Sequence, residues 1–543
     1  MNALDQRLLA LFPAAGEDLE KFDLPPRIDQ RETLVGGVLK AWAGPVVTVR
    51  SAIGVRQQAG GFERIELGSH PLGGEAEALE ALAAAVAAYD AGGGAWPTMT
   101  VAQRIACIES FTRKMIEKRD LIVSLIMWEI GKSLEDSRKE FARTVEYVRA
   151  TIEALKELDN SNSRFHIVEG TIGQVRRTPL GVVLCMGPYN YPLNETFATL
   201  IPALIMGNTM VFKPPKFGVL LFQPLLEAFA SSLPPGVINT VYGKGSLVVP
   251  LLLETGAINV LALIGSSKVA DHLKKMHPKV NRLRAILGLD AKNAAIVLAD
   301  ADLELAVREC LVGALSFNGQ RCTALKMLLV HRSLADRFIA RFCEELAKLA
   351  IGMPWEAGVT ITPLPDLEKV EQMHRLVADA TAKGARVINE DGGTSGGTLF
   401  RPAVIYPARE DMLLYREEQF GPIVPILPFD ELETALEYVI SSEHGQQVAL
   451  FSEDPRKVGA LVDTLVNQVC RVNINCQCRR GPDVFPFTGR KDSAEGTLSV
   501  TDALRSFSIR SMIATKQTTA GKQLIDAIVT ARTSNFIHTG FVL

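Results

Sequence analysis

The chain has 543 residues, of which 47% are apolar and 22% are charged, and its formal net charge at pH 7 is -3. This length and apolar content suit a globular protein with two or three packed domains. The near-neutral charge gives no overall field that would gather nucleic acid or an anionic membrane, so we expect neither as a partner.

The N-terminal run MNALDQRLLALFPAAGEDLEKF has acids beside its apolar residues and no basic start, so it does not look like a secretory signal. Polar residues interrupt even the apolar stretch 180–212, and no membrane helix is predicted. The eight cysteines are scattered, which suits reduced thiols, and we expect a cytoplasmic protein. Cys476 and Cys478 are predicted to share a strand face, but no further ligands have metal-site spacing, so no metal is predicted.

The chain begins with a segment, residues 1–74, that has little periodicity and several Gly and Pro residues. We interpret it as an N-terminal extension with some helix and a hairpin. The run GEAEALEALAAAVAAYD that follows is helical by propensity. Thr100 and Gln103 then form a capping-box pattern that opens an amphipathic helix through Met127, and a third helix carries Arg143.

Two later stretches alternate short apolar runs with helical segments. Between 180 and 300 the runs are GVVLCM, TMVFK, VINTV, NVLALI and AAIVL. Such βαβ alternation is typical of an open, mostly parallel sheet and predicts a dinucleotide-binding domain. From 300 to about 500 the runs are MLLVH, AVIYP, IVPILP, QVALF and RVNIN, which predict a second α/β domain.

Within the second alternation, residues 317–326 read FNGQRCTALK and place Cys322 directly after Arg321 in a polar turn. A thiol attacks as thiolate, so a reactive cysteine needs positive or dipolar surroundings that lower its pKa. Arg321 and nearby backbone amides are expected to supply them. Taken alone, the pattern still favours a buried structural cysteine, because free cysteine often acts as a small core hydrophobe.

Five further motifs stand in order around this turn: PLGVVLCMGPYNYP at 179–192, GNTMVFKPPK at 207–216, IGSSKVA at 264–270, EEQFGPIVP at 417–425 and RRGPDVFPFTGRKDS at 479–493. The set resembles the aldehyde dehydrogenase superfamily from about Glu75 to about Thr518. It is most similar to the NADP-dependent, non-phosphorylating glyceraldehyde-3-phosphate dehydrogenases. Several motifs in the correct order are far more specific than any one of them.

The resemblance implies an α/β fold with a Rossmann-type cofactor domain, an α/β catalytic domain and a small bridging β-sheet that pairs subunits. A homodimer or homotetramer is therefore expected. The implied boundaries are 75–160 and 181–286 for the dinucleotide-binding domain, 287–503 for the catalytic domain with Cys322, 161–180 and 504–518 for the bridging sheet, and 519–543 for an unassigned C-terminal tail.

For catalysis, the resemblance implies that Cys322 adds to an aldehyde carbonyl. The oxygen that becomes negative is then held by the cysteine's own N–H and by the amide of Asn190. Without the resemblance, Asn190 is interpreted as an ordinary turn residue. An anionic substrate is implied by four residues at phosphate-pocket positions: Arg143, Tyr191, Arg321 and Arg480. Alternatively, Arg143 pairs with Glu140 or Glu146 on its own helix.

For the cofactor, Lys213 stands where the family grips the adenosine ribose, and Glu418, with Phe420 beside it, where the family grips the nicotinamide ribose. Their ordinary alternatives are a solvated lysine and a surface carboxylate. Many NAD-dependent relatives have an acid where this chain has Lys216, and the exchange favours the extra phosphate of NADP. The pyrophosphate is expected at Gly265 and Ser266, with Ser266 or the next serine as the helix N-cap.

Relatives normally carry ELGGK, whose glutamate activates water to hydrolyse the thioester, but this chain has Gly288 at that position. Asp290, on the same strand face if the strand continues, is one candidate substitute. Another group or bare water is a second, and transfer of the acyl group to coenzyme A is a third. We expect hydrolysis, because the phosphate-pocket positions are kept. A non-catalytic family member is disfavoured by the joint presence of Cys322, Asn190 and Glu418.

Overall fold

The structure is a computed structural model that describes residues 3–57 and 61–540. Its first sheet has six strands, in the order Ile238–Thr240, Thr209–Lys213, Val182–Met186, Val260–Ile264, Arg284–Gly288 and Ala494–Glu495. The first five are parallel and the last is antiparallel. The apolar runs of these parallel strands are mostly buried, as expected where helices cover both faces of a sheet.

The second sheet has seven strands, in the order Arg386–Val387, Ala403–Tyr406, Ile423–Phe429, Met327–His331, Ala294–Val297, Gln447–Phe451 and Arg471–Ile474. All pairs are parallel except the first, which is antiparallel. The α/β fold class predicted from the two alternations is confirmed. The helices from residue 300 to 506 are Leu303–Leu315, Arg332–Leu346, Leu367–Ala382, Leu413–Arg416, Leu432–Ser441, Pro455–Leu465 and Val500–Ser506.

The helices before residue 300 include Ala3–Leu9, Glu75–Tyr89, Ala95–Thr98, Val101–Glu117, Arg119–Ile130, Leu134–Ser161, Asn194–Ile205, Gln223–Ala230, Gly245–Glu254 and Ser267–Met276. The capping box is present, since Gln103 N donates to Thr100 Oγ1 at 3.3 Å and Thr100 N donates to Gln103 Oε1 at 3.1 Å. The predicted continuation through Met127 is wrong, because Lys118 leaves helical geometry and a separate buried helix begins there. None of the described helices has the length and apolar character that spanning a bilayer requires.

The N-terminal segment is packed into the body of the protein. Strands Val46–Arg56 and Phe62–Pro71 form a long antiparallel pair, with Ile28–Asp29 parallel to the second, and Glu32–Val35 pairs with Val38–Ala41. The smaller hairpin is bonded to the edge of the first sheet, where Leu34 N donates to Thr240 Oγ1 at 2.8 Å.

A third sheet is antiparallel and consists of Ser508–Lys516, Thr171–Pro179 and Phe165–Val168. Helix Thr519–Ala531 follows it, with Thr518 as N-cap. The chain then returns to the sheet, where the His538 carbonyl accepts hydrogen bonds from the side chains of Gln174, at 2.7 Å, and Arg176, at 3.0 Å.

Candidate active site

A cleft of about 1140 Å³ lies at the carboxyl ends of the first sheet's parallel strands. Four of those strands line it with their last residues, Met186, Lys213, Ile264 and Gly288. Carboxyl strand ends are where open α/β sheets bind ligands. All nine predicted catalytic and cofactor residues line this cleft: Asn190, Lys213, Lys216, Gly265, Ser266, Asp290, Cys322, Glu418 and Phe420.

The turn that carries Cys322 is held by buried side-chain amides. Asn318 has a φ of 56°, which non-glycine residues rarely adopt, and it exchanges hydrogen bonds with the backbone of Thr362, each 3.0 Å long. Asn293 Nδ2 donates to the Cys322 carbonyl at 2.7 Å. The protein's own bonds therefore fix the thiol at the wall of the cleft.

The electrostatic environment of Cys322 differs from the prediction. Burial raises the pKa of the thiol, whereas Lys326, a hydrogen bond with Gln446 and, to a smaller extent, Arg321 lower it. The expectation that Arg321 and the backbone bring the Cys322 pKa below its usual range is wrong, because desolvation of the half-buried thiolate, together with the charge of Glu418, outweighs these groups. Lys326, four residues along the chain, is the largest cationic influence.

Asn190 is buried beside this turn. One side-chain N–H donates to the Gln320 carbonyl at 2.8 Å, which ties the PYNYP loop to the residues just before Cys322. A side-chain amide has two N–H donors, so the second can serve an oxygen developing at the thiol. The contact with Gln320 thus holds the predicted oxyanion donor next to the predicted nucleophile.

Lys132 also supports the loop that carries Asn190, and no pattern in the sequence indicated this role. Its completely buried Nζ pairs with Glu140 and donates to the Asn190 carbonyl at 2.6 Å. The ammonium lies 3.5 Å from the centre of the Tyr191 ring. Burial lowers the pKa of Lys132, and Glu140 opposes this. A lysine eight residues before a glutamate is no recognisable signal, since the contact with Asn190 is made across 58 residues.

The predicted nicotinamide-side residues lie together opposite the strand ends. Glu418 pairs with the buried Lys326 and accepts a hydrogen bond from Ala291 N at 3.3 Å. The ring of Phe420 lies edge-on to Tyr189, with centroids 5.8 Å apart. The interpretation of Glu418 as a mere surface carboxylate is wrong, because only 12% of its side chain is exposed.

Lys213 and Lys216, the two lysines predicted to bind the nucleotide, line the cleft in different ways. Lys213 is largely desolvated, which lowers its pKa, and its Nζ donates to the Pro214 carbonyl at 3.2 Å. Lys216 has 70% of its side chain exposed, and its Nζ lies 3.8 Å from Asp366 and 3.6 Å from Glu368. Lys213 is therefore held in place, and Lys216 remains accessible to a ligand at the rim.

Ser266 is the N-cap of helix Ser267–Met276, as predicted for one of the two serines. The carboxylate of Asp290 also lies at this helix N-terminus and accepts hydrogen bonds from Ser267 N and Oγ, both at 2.8 Å. The strand ends at Gly288, so the condition under which Asp290 would share a strand face with position 288 is not met. Asp290 instead stabilises the positive end of the helix dipole.

Gly288 itself has an ordinary backbone conformation. A Cβ placed there meets the side chains of Ile264 and Leu498 at 3.5 Å, which is normal van der Waals contact. Neither positive φ nor close backbone approach requires glycine at this position. A larger side chain is therefore sterically compatible with the site where the family has its general base.

The four predicted phosphate ligands form a separate cluster that does not line the large cleft. Burial raises the pKa of Tyr191, whereas Arg321 and Arg143 are close enough for their charges to lower it, and Cys322 is close enough to Arg143 to affect the pKa of that arginine. Arg321 donates to the Gly313 carbonyl at 2.9 Å. These three residues thus gather near the thiol and outside the cofactor cleft.

The two arginines contributed by distant segments already have carboxylate partners. Arg143 Nη2 lies 2.8 Å from Asp483 Oδ1, so the alternative that it pairs with a glutamate of its own helix is wrong. Arg480 is buried between Glu195 and Asp483. A substrate anion would therefore share Arg143, whose side chain is 34% exposed, and would reach Arg480 only by displacing a carboxylate.

The C-x-C pair does not lie on a strand, contrary to the prediction. The strand ends at Ile474, and Asn475 turns the chain with a φ of 52°. Cys478 is buried and its thiol lies 3.5 Å from Asn473 Nδ2. Within residues 3–57 and 61–540, no three His, Cys, Asp or Glu side chains are gathered as metal ligands.

A half-buried cysteine with an amide donor beside it, in a cleft at the carboxyl ends of a dinucleotide-type sheet, is the arrangement of a thiol-dependent dehydrogenase site. The sequence profile of the aldehyde dehydrogenase family matches residues 61–513, and this chain belongs to that family. The expected enzyme class, an NAD(P)-dependent aldehyde dehydrogenase, is confirmed.

Two groups of relatives are similar over most of the chain. An NADP-dependent glyceraldehyde-3-phosphate dehydrogenase of Streptococcus equinus is 33% identical over 466 residues, 83% of this chain and 93% of the relative. A 3-sulfolactaldehyde dehydrogenase of Priestia aryabhattai is 28% identical over 397 residues, 70% and 80% of the two chains. The crystal structure of NADP-dependent glyceraldehyde-3-phosphate dehydrogenase from Bacillus halodurans C-125 complexed with NADP matches at 29% identity with a TM-score of 0.82, covering 91% of this chain and 100% of that one.

Proposed function

We propose that this protein oxidises glyceraldehyde 3-phosphate to 3-phosphoglycerate with NADP as the hydride acceptor. The observation that carries the proposal is the convergence of Cys322, Asn190 and Glu418 in one cleft that is large enough for a dinucleotide. The similarity to NADP-dependent glyceraldehyde-3-phosphate dehydrogenases supports the choice of substrate and cofactor. We propose the same roles for the remaining site residues as the sequence predicts, except for Asp290.

The residues divide the chemistry among them. The Cys322 thiolate forms a bond to the aldehyde carbon, and the Asn190 amide and the cysteine's backbone N–H stabilise the oxyanion of the thiohemiacetal. When bound, NADP supplies the nicotinamide that accepts the hydride. The thiohemiacetal becomes a Cys322 thioester, which water hydrolyses to release the acid and the thiol.

The residues present fit NADP. Gly265 and Ser266 at the N-terminus of helix Ser267–Met276 would hold the pyrophosphate, and Lys213 and Glu418 would hold the riboses. Lys216 would bond the 2′-phosphate, since its exposed ammonium has only two carboxylates at 3.6 Å or more. One feature opposes the fit, because the Asp290 carboxylate must share the helix N-terminus with the pyrophosphate.

The substrate is proposed to be anionic because cationic and hydroxyl groups gather near the thiol, and among them the side chain of Arg143 is 34% exposed. A sulfonate presents three oxygens much as a phosphate does, so 3-sulfolactaldehyde is the second candidate substrate, in line with one relative. Because position 288 is glycine and not the general-base glutamate of relatives, transfer of the acyl group of the thioester to coenzyme A is the second candidate reaction.

We propose a homodimer or homotetramer assembled through the third sheet. Its outer strands expose apolar side chains that water does not favour: Ile167, Val168, Ile509 and Met512. Light scattering of the purified protein measures the mass directly, and a monomer at micromolar concentration would contradict this assembly. A cytoplasmic location stays a prediction of the sequence.

The deciding experiment follows NADPH formation in single-turnover and steady-state regimes with glyceraldehyde 3-phosphate or 3-sulfolactaldehyde, each with and without coenzyme A. Rapid NADPH formation and continued turnover with the phosphate substrate in water alone support the proposal. A preference for the sulfonate by more than tenfold in kcat/KM would reassign the substrate. A burst that stalls until coenzyme A is added would establish the acylating reaction instead.

A further inference from the structure

A short loop joins two segments of the site. One contains Gly288, where relatives carry the general-base glutamate, and the other contains His444. On one side of the loop, Ala494 is paired with Gly288 at the end of the first sheet. On the other side, Lys491 is paired with His444 in a two-residue antiparallel contact. Only two residues, Asp492 and Ser493, separate the two pairings, so the segment of His444 is held close to the end of the strand from which a glutamate would project.

A buried serine inside that loop locks the two segments together. The Ser493 carbonyl accepts a hydrogen bond from Leu289 N at 2.9 Å, and its hydroxyl accepts one from Gly445 N at 3.0 Å. The first donor follows Gly288 directly, and the second follows His444 directly. The position of the histidine relative to the strand end is therefore set by the backbone and does not depend on a flexible side chain.

His444 also belongs to the cleft that contains the nucleophile. It lines the cleft together with Gln446, whose side chain hydrogen-bonds the Cys322 thiol. Within the described part of the chain, His444 Nδ1 is buried and meets no hydrogen-bonding partner. A buried ring nitrogen left unbonded costs free energy unless a ligand or water satisfies it.

The charges around His444 suit a base. Burial lowers the pKa of the imidazole, so it is neutral at neutral pH, and Lys292 lowers it further. The carboxylates of Glu418, Asp290 and Asp492 raise the pKa, which means that they stabilise the imidazolium once a proton arrives. A neutral imidazole surrounded by carboxylates can accept a proton from water without leaving an unbalanced buried charge.

We propose that His444 is the general base that activates the hydrolytic water for the Cys322 thioester, in place of the glutamate that relatives carry at position 288. The inference rests on the proposed function. His444 takes a proton from water as the water oxygen bonds to the thioester carbon. The tetrahedral intermediate then collapses, the carbon–sulfur bond breaks, and the thiolate of Cys322 leaves with the bonding electrons. The proton on His444 returns to solvent, and the carboxylic acid gives its own proton to solvent and leaves as the carboxylate.

The test compares His444→Gln with wild type in NADPH burst and steady-state assays with the phosphate substrate. We expect the burst to stay within about twofold, which also reports an intact fold, and steady-state turnover to fall by roughly 10²-fold, within the range for a lost general base. The kcat of wild type should rise through a pKa below the ordinary histidine value of about 6.5, and this limb should be absent in the variant. His374→Gln, a change at an exposed histidine bonded to Ser395, should leave both phases unchanged.

A rescue experiment separates a base from a structural residue. Gly288→Glu in the His444→Gln background should restore turnover at least tenfold, because position 288 accepts a Cβ and the carboxylate replaces the base. Gly288→Gln, which has the same shape but no basic group, should restore none. Equal rescue by both substitutions would mean that the variant was slow because of an unfilled space in the cleft. The loss of a base would then not be the cause, and the proposal would be overturned.

Other outcomes also decide the matter. Unchanged turnover in His444→Gln would overturn the proposal. So would an Asp290→Asn variant that showed the slowed turnover and the missing rise of kcat with pH when His444→Gln did not. A wild type that bursts and then needs coenzyme A would overturn it too, since no hydrolysis would then need a base. A wild type that forms no NADPH with either anionic aldehyde would reject the proposed function itself, and the inference with it.

Discussion

The two halves of the cleft differ in how completely the protein bonds its own polar groups. On the thiol side, buried hydrogen bonds of 2.6 to 2.8 Å join Lys132, Asn190 and Asn293 to the backbone around Cys322. On the nucleotide side, Lys216 is 70% exposed and its nearest carboxylates are 3.6 and 3.8 Å away. The thiol side is thus preorganised, whereas the nucleotide side keeps its charge available for a ligand.

The difference has an energetic reason. Groups that stabilise a developing charge are most effective when they are fixed before the reaction, because no reorganisation is then needed. Groups that bind a cofactor must exchange water for the ligand repeatedly, so exposure suits them. Substitutions on the thiol side should therefore lower the chemical rate or the stability, and those on the nucleotide side should change affinity and cofactor preference.

The largest expected effect is at the nucleophile. Cys322→Ala should abolish the NADPH burst, because no thiohemiacetal can form and the hydride has no tetrahedral donor. Stopped-flow absorbance of NADPH measures this. Cys107→Ala, at a half-buried cysteine of helix Val101–Glu117, is the control and should keep the burst. A normal burst from Cys322→Ala would disprove the mechanism.

The buried support of the thiol side comes next. Lys132→Ala should lower the free energy of unfolding by about 3–5 kcal/mol, because it leaves Glu140 charged and unpaired in the interior. Lys139→Ala removes an exposed pair with Glu135 and should cost less than about 1 kcal/mol. Urea unfolding of the two variants measures the contrast. Equal loss in both would show that Lys132 does not hold the Asn190 loop.

The oxyanion donor should have a somewhat smaller effect. Asn190→Ala is expected to slow the burst by roughly 10² to 10³, the scale for one lost oxyanion-hole donor. Unfolding curves of the variant and of wild type must be compared as well, because Asn190 also donates a hydrogen bond to the Gln320 carbonyl and its loss affects stability. A burst slowed less than fivefold in a folded variant would remove Asn190 from the oxyanion site.

On the nucleotide side, Lys216→Glu should erode or reverse the preference for NADP over NAD by about 1–3 kcal/mol, since a charge-assisted bond to the 2′-phosphate is lost. The ratio of kcat/KM for the two cofactors measures this. Lys118→Glu, at an exposed lysine between two helices, is the charge-matched control. Equal use of both cofactors by wild type would contradict the role of Lys216.

The smallest effect concerns pH. Because burial raises the pKa of the Cys322 thiol, only a small fraction is thiolate at neutral pH, and that fraction rises about tenfold per unit below the pKa. At saturating ligands the burst rate should therefore rise from pH 7 to pH 8 by up to about tenfold. A flat profile over that interval would mean that bound cofactor or substrate supplies the positive field that the protein alone does not.

Much of the candidate site could be predicted from the sequence because its residues sit in short motifs with fixed order. Asn190 and Cys322 are examples, and the structure places both in the cleft with the predicted cofactor residues. The partners of these residues could not be predicted. Arg143 meets Asp483 across 340 residues, and no local pattern indicates such a pair.

The predictions that failed share one origin. They assumed that neighbours in the sequence determine the contacts and the pKa of a residue. Asp290 was a candidate to replace the base if its strand continued, but the strand ends at Gly288 and the carboxylate binds the N-terminus of a helix that precedes it in the chain. The Arg321 charge was expected to control Cys322, but burial has the larger effect on the pKa. Both outcomes depend on what packs around a residue.

The sequence by itself determined the two α/β alternations, the helix caps and the choice of Cys322 as the proposed nucleophile, because apolar periodicity and short motifs are local properties of the chain. Only the tertiary structure decided which carboxylate faces which cation, how far the thiol is desolvated and that one short loop joins the segment of His444 to the strand end at Gly288. Desolvation and ion pairing depend on distances between segments far apart in the chain, and only folding sets those distances.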